Sequence, residues 1–281
     1  MECLYTIINI GLNHNKLERK CMNTDHYFAM GKSHKVCQDY AYSGKNSVGN
    51  HVAVISDGCS ASPDTDFGAR FLVRSVVICG AQTKFGIPNY EEALVRGAIW
   101  CASQAHKGLL LSPQCLDATM MYLEVIGDKI IVVTAGDGVI FGVTKNGQLD
   151  FWNIEYPSGA PFYPSYLLDE DRYDRYLEEF GDTYVLKKNR EDLLCENSEH
   201  DGMVHLSTFR KENYKFIGVA SDGIHTCNMS TEEALKQLTA FKGVKGDFVK
   251  RRMRRFLKNC RKNNTYPTDD ISMAVVHLGE D

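Results

Sequence analysis

The sequence predicts an α+β fold, a β-sandwich covered by helices, and three observations carry that prediction. Apolar runs rich in Val and Ile recur at strand length, as in His51–Ser56, Ala118–Ile126, Ile130–Ala135, Val139–Val143, Phe216–Ala220 and Ile271–Leu278. Gly127-Asp128 stands between two of them and Asn146-Gly147 follows a third, and such dipeptides join neighbouring antiparallel strands. Helical spacing appears in two pairs, in the middle of the chain and near its end, so helices cover sheets here and do not alternate with each strand.

In chain order, residues 25–57 read as strands broken by turns, including the polar Ser43–Asn50 connection. A small polar loop, Cys59–Asp64, follows. Phe67, Phe71, Leu72, Val76 and Cys79 then recur at helical spacing, with Arg70 and Arg74 on the other face. A second helix begins near Asn89, which forms a capping pair with Glu92, and Leu94, Ala98, Cys101 and Ala105 give its apolar stripe. Residues 150–200 are rich in aromatics and acids, lack periodicity and read as an irregular insertion. A strand returns at Met203–Ser207, and Ser230 with Glu233 makes a capping box ahead of Ala234, Leu235 and Leu238. A last helix spans about 247–260. No linker divides the chain, so one domain is expected, with its core over about 25–279.

With 43% hydrophobic residues in 281, the chain has the material for a sizeable core, and its net charge of −4 says little about partners. Ten cysteines are scattered without a Cys-x-x-Cys pair, so no zinc site is readable and a reduced, cytoplasmic setting is expected. Met1–Ile10 lacks a basic leader and a long apolar core, so no signal peptide is read. Nothing approaches the roughly 20 apolar residues of a membrane span.

The chemistry sits in three Asp-centred motifs at the ends of apolar runs. Ser56-Asp57-Gly58 and Ser221-Asp222-Gly223 each close a strand, and Asp269-Asp270 opens one. If the first two strands run up an antiparallel sheet and the third runs down, their carboxylates reach one edge. Asp39 and Asp137, the latter in Gly136-Asp137-Gly138, complete five acidic candidates. A single Asp-Gly is usually only a turn; the repeat is the signal. Clustered carboxylates repel unless a cation lies among them, and hard oxygen ligands favour Mg²⁺ or Mn²⁺. Two such ions would lower the pKa of a bridging water and neutralise a phosphoryl group under in-line attack. Gly58 leaves its backbone carbonyl free to approach a metal without a Cβ in the way.

In order and type these motifs resemble the type 2C metal-dependent protein phosphatases over roughly residues 31–278. The resemblance rests on Gln38-Asp39-Tyr-Ala, Asp57-Gly58, Thr119 with Gly136-Asp137-Gly138, Ser221-Asp222-Gly223 and Asp269-Asp270-Ile-Ser. Gly31-x-Ser33-His34, Cys37-Gln38-Asp39 and Gly68-Ala69-Arg70 look most like divergent prokaryotic and phage-type members. It implies a four-layer α/β/β/α sandwich, two antiparallel sheets flanked by helices. It also implies hydrolysis of phosphoserine and phosphothreonine by metal-activated water, without a covalent intermediate. Asp57 would bridge two catalytic ions and Gly58 add a carbonyl. Asp222 and Asp269 would complete the first site, and Asp39 would reach the second through water. Asp137 with Asp222 would hold a weaker third ion. In the final motif Asp269 takes the ligand position and Asp270 the place of the family's Asn. The 150–200 insertion falls where the family has its substrate-contacting flap. Implied partners are phosphorylated proteins and a cognate Ser/Thr kinase.

Two residues depart from the family pattern. Spacing puts His34 where some members have a phosphate-clamping Arg, which makes it the candidate phosphate-binding residue. An imidazole that titrates near pH 6.5 makes no bidentate clamp, so weaker and pH-dependent phosphate binding is expected. Cys59 stands where many members have a His after Asp-Gly; a redox role is weighed against a merely tolerated small residue. The basic run Lys250–Arg255 with Lys258, Arg261 and Lys262 is read as the wet face of a helix rather than a nucleic-acid surface, because Val249, Met253, Phe256, Leu257 and Cys260 form an inward stripe. The aromatics Phe151, Trp152, Tyr156, Phe162, Tyr163 and Tyr166 fit either a docking surface or a satellite core. The remaining histidines show no ligand spacing. Rival functions are a catalytically silent relative that binds phosphoproteins or a kinase, and a small-molecule phosphatase on the same fold.

Overall fold

Both faces of the central strands are covered, which is why they read as continuous apolar runs and not as alternating ones. The computed structural model describes residues 22–189, 198–201 and 203–279. It begins with β1 (Asn23–Ala29), β2 (Tyr40–Lys45) and β3 (His51–Ser56), then α1 (Thr65–Gln82) and α2 (Tyr90–Gly108). A run of hairpins follows, β4 (Met120–Ile126), β5 (Lys129–Ala135), β6 (Gly138–Thr144) and β7 (Leu149–Glu155). After α3 (Glu170–Phe180) come β8 (Thr183–Lys188), β9 (Ser198–Asp201), β10 (His205–Arg210) and β11 (Tyr214–Ala220). The helices α4 (Thr231–Thr239) and α5 (Phe248–Asn263) precede the final strand, β12 (Ile271–His277).

The strands form two antiparallel sheets, one in the order β1-β12-β11-β6-β7-β8-β9 and one in the order β10-β5-β4-β3-β2. Three apolar layers hold the stack. Ile55, Leu123, Val132, Ile140, Val219 and Ala274 fill the space between the sheets. On the outer face of the five-stranded sheet, Leu72, Val76, Leu94 and Ile99 of α1 and α2 pack on Val54 and Tyr122. On the outer face of the other sheet, Leu235, Met253 and Phe256 of α4 and α5 meet Phe141, Phe216 and Val275. Each such large apolar side chain contributes roughly 1.5–3 kcal/mol on burial. The four-layer sandwich expected from the sequence is the observed architecture.

Local signals fare unevenly. Ser230 caps α4 by accepting the Glu233 N–H at 3.2 Å, as its box predicts. Asn89 makes no side-chain cap on α2; it stands in left-handed backbone (φ 52°), a conformation Asn tolerates better than most residues. Phe67, placed in the α1 stripe by spacing, is 43% exposed. The five apolar residues of the α5 stripe are all buried, which supports the wet-face reading of its charges.

The stretch predicted to be irregular is ordered where it is described. It carries β7, a 3-10 turn at Pro164–Leu168, α3, β8 and β9, and so adds three strands to the seven-stranded sheet. Its periodicity is hidden because α3 buries only Tyr176 and is otherwise mostly charged. Phe162, fully buried, packs edge-on against Tyr166, Tyr173 and Tyr176 and is continuous with the core beneath α1 and α2, so this part of the aromatic group belongs to the main core rather than to a separate satellite. The N-terminal segment read for a leader, Cys3, Cys21, Cys195 and His14, and the side chain of His200, lie outside the described residues.

Candidate metal centre

The five acidic candidates come to one end of the sandwich, but not on one sheet as the sequence alone suggests. Asp39 precedes β2 and Asp57 follows β3 in the five-stranded sheet, whereas Asp222 follows β11 and Asp269-Asp270 precede β12 in the other. Asp137 sits in the turn that carries the chain from β5 in one sheet to β6 in the other. Two sheets stacked face to face thus present their carboxylate-bearing ends to a shared space.

Backbone pairing fixes the loops that carry these acids. The Asp57 N–H donates to Thr119 Oγ1 at 3.1 Å, the Thr119 N–H donates to the Asp57 carbonyl at 2.8 Å, and Gly58 bridges Ala118. A Cβ on Gly58 would stand 2.9 Å from the Thr65 carbonyl. Asp137 lies between two glycines at φ 98° and 142°, a turn that other residues adopt only under strain. Gly223 is tighter still, since a Cβ there would fall 1.7 Å from the Asp270 carbonyl oxygen. Gly223→Ala is therefore expected to cost roughly 1–3 kcal/mol or more through forced backbone displacement. A urea-unfolding midpoint equal to wild type would contradict so close an approach.

The carboxylates are crowded and short of compensation. Asp39 is 1% exposed, and its Oδ2 accepts the Ser221 hydroxyl at 2.7 Å. Ser221 Oγ in turn accepts the Ser272 N–H at 2.9 Å, which ties β2 to β11 and β12. Burial pushes the Asp39 carboxyl up to about 7 against the opposing Ser221 bond. Burial first, then the charges of Asp39 and Asp222, hold Asp57 well above the usual carboxylate range. Asp137 is pushed up to about 7 by burial and by Asp222. Asp269 is raised by burial and Asp222, with the Asp270 N–H and His34 acting the other way.

Such a set suits hard divalent cations, because carboxylate oxygens are their preferred ligands. Asp39 Oδ1 and Asp222 Oδ1 are buried without a hydrogen-bond partner, which marks acceptors aimed at something other than the protein. Among the described residues, no three His, Cys, Asp or Glu side chains converge as tightly as a formed metal site does. The fit therefore rests on donor chemistry and on the orphaned oxygens. It does not rest on a closed coordination shell.

His34 is not turned toward open space. Its Nε2 lies 3.3 Å from Asp269 Oδ1 and its Nδ1 3.0 Å from Asp270 Oδ2. Burial lowers the imidazole pKa, but Asp270, Asp269 and Asp39 outweigh it and the net shift is upward. Asp270 has work of its own. Oδ1 accepts the Gly31 N–H at 2.7 Å and Oδ2 the Gln38 N–H at 2.6 Å, so its carboxylate pins both ends of the loop before β2. Gln38 spans onward, its amide donating to Thr65 Oγ1 at 2.6 Å. The roles of Asp270 and Thr65 are not readable from the sequence, because neither stands in a context that signals a backbone-binding or amide-binding side chain.

The Protein phosphatase 2C sequence profile matches residues 30–264. No curated protein sequence matches the chain. Solved structures do. The serine/threonine phosphatase Stp1 from Staphylococcus aureus superposes with a TM-score of 0.56 at 13% identity, covering 92% of this chain and 95% of that one. The serine/threonine phosphatase of S. agalactiae gives 0.55 at 16%, covering 92% and 99%. A bacterial serine phosphatase gives 0.57 at 10%, covering 93% and 99%. At these identities the superpositions speak for the fold, and the profile spanning most of the chain speaks for descent: the chain belongs to the protein phosphatase 2C family.

Proposed function

We propose that this chain hydrolyses phosphoserine and phosphothreonine in proteins, using two Mn²⁺ or Mg²⁺ ions held chiefly by Asp57, Asp222 and Asp269, with Asp39 behind them, Gly58 adding a carbonyl and Asp137 serving a weaker third ion. One observation carries the reading: acids from both sheets meet at one end of the sandwich, where burial raises Asp39, Asp57 and Asp137 and the charge of Asp222 adds to the rise at Asp57 and Asp137. When bound, the ions supply Lewis acidity and a nucleophile at neutral pH. The chain's own part is to hold Asp57 in register through Thr119, to orient Asp39 through Ser221, and to keep the Asp269 loop against Gly31 and Gln38. No His stands beside Gly58, so the chain offers no imidazole there to protonate the leaving group.

A silent binding relative has no reason to keep mutually repelling acids. Domain bounds of about 25–279, a cytoplasmic setting and a cognate kinase partner belong to the same proposal. No helix among the described residues is long and apolar enough to cross a membrane. Hydrolysis of an aryl phosphate and of a phosphothreonine peptide is expected to require added Mn²⁺ or Mg²⁺ and to vanish with EDTA. Full activity after dialysis against excess chelator would overturn the reading.

A further inference from the structure

Asp117 lies two residues before Thr119, at the end of the 3-10 turn Pro113–Leu116, and is 3% exposed. Its side chain joins two parts of the molecule that are far apart in sequence. Oδ2 accepts the Ser62 hydroxyl at 2.8 Å, from the loop that continues Asp57-Gly58. Oδ1 accepts the Ser165 hydroxyl at 2.6 Å, and Arg172 Nη2 donates to both oxygens at 3.0 and 3.1 Å. Ser165 and Arg172 both belong to the 150–200 insertion. The Asp117 carbonyl also accepts the Cys59 N–H at 2.8 Å, so the same residue grips the Asp57 loop twice.

We propose that Asp117 is a positioning residue that makes the Asp57 loop and the insertion bearing α3 one mechanical unit, so that the placement of the substrate-facing insertion and the geometry of the metal-bearing loop stand or fall together. The proposal rests on the phosphatase reading for its catalytic consequence, though not for the coupling itself.

The Arg172 end of the link is well set. Its side chain is 20% exposed and its guanidinium lies 4.8 Å from the centre of the Tyr166 ring. Its backbone N–H donates to Asp169 Oδ1 at 3.1 Å, so the side chain departs from a fixed helix start. Breaking a buried pair from one side leaves the other charge uncompensated. Loss of the Asp117 charge strands Arg172 and weakens the acceptor that Ser62 and Ser165 share. Loss of Arg172 leaves a buried carboxylate behind the Asp57 loop. Either loss therefore acts on both segments. A simple fastening of α3 to the body predicts instead that the Asp57 loop does not feel Arg172.

The test compares wild type, Asp117→Asn, Arg172→Met and the double variant by amide hydrogen exchange without metal, by Mn²⁺ titration calorimetry and by steady-state kinetics. Arg172→Met is expected to speed exchange about tenfold in residues 59–65 as well as in 165–180, the change a coupling of ordinary size produces. It is also expected to weaken Mn²⁺ binding and to raise KM for a phosphothreonine peptide more than for an aryl phosphate. The double variant should fall no further than the worse single one, and Arg172→Lys should restore part of the loss. Exchange confined to 165–180, unchanged Mn²⁺ affinity or additive effects would overturn the proposal. If Asp117→Asn fails to fold, Ser165→Ala with Arg172→Met makes the same comparison from the insertion side. A wild-type chain that shows the exchange coupling but no metal-dependent hydrolysis would sink the phosphatase reading and leave the link standing.

Discussion

Asp57→Asn is expected to stop turnover and, in the metal-free protein, to raise the melting temperature. The first half follows from the place of Asp57 as the candidate bridging acid; loss of a main charge-stabilising group costs on the order of 10²–10³-fold in kcat, and loss of the ion itself costs more. The second half follows from the raised ionisation of Asp57, which burial and the charges of Asp39 and Asp222 cause. A carboxylate raised above its unfolded value is a cost to folding wherever it is charged; the cost shrinks as pH falls below the raised value and is gone below the unfolded one. With Asp39 and Asp137 both pushed up to about 7, wild-type protein in chelator should therefore melt higher at about pH 6 than at about pH 8. Saturating Mn²⁺ should reverse the ranking of wild type and variant. Calorimetric scans with and without EDTA check both statements. A variant that melts lower than wild type in chelator would mean that these acids are not in mutual strain.

The pair Asp269 and Asp270 gives the second large effect, and here the structure changes what the sequence predicts. By family pattern Asp270 occupies an Asn position, so Asp270→Asn should be nearly silent and Asp269→Asn nearly dead. Geometry leaves the expectation for Asp269 unchanged, with a partly exposed carboxylate beside His34. It disagrees on Asp270, because both its oxygens accept backbone N–H groups, from Gly31 and Gln38. An amide has one oxygen, so Asn must set its NH₂ against one of those donors. The cost of a buried donor left unmet is about 1–3 kcal/mol. Asp270→Asn is thus expected to lower stability by that amount and to loosen the loop before β2, while Mn²⁺ affinity falls less than in Asp269→Asn. Denaturant midpoints with Mn²⁺ titrations separate the two. Equal loss of metal affinity in both variants would shift the register of the last motif by one residue.

What the sequence shows and what it hides can be traced to range. Buried strands such as β4, β5 and β12 announce themselves because covered faces demand apolar runs, and the turns Gly127-Asp128 and Asn146-Gly147 announce their hairpins because positive φ demands glycine. Asp57, Asp222 and Asp269 are legible because they follow or precede such strands. The split of the acids over two sheets is not legible, since nothing local says that β3 and β11 part company. The order in the 150–200 stretch is hidden because α3 turns most of its surface to water. Asp117 is hidden for a different reason: its partners Ser62, Ser165 and Arg172 are ordinary polar residues whose meaning arises only on contact.

The strand order β1-β12-β11 bears on how the enzyme comes into being. Among the described residues, β1 has one ladder partner, and that partner is the strand farthest from it along the chain. On the ribosome, β1 must wait until every other described strand has been made before its edge is paired. Contacts of such sequence separation form slowly. The same late strand and the residues just before it bring the anchor for Gly31 and Gln38 and the amide that holds Ser221 against Asp39. A nascent chain that has not released β12 therefore carries most of its acids but lacks the contacts that tie Gly31, Gln38 and Ser221 into place. The centre takes shape only when β12 emerges, and a product that stops short of that strand is born without it.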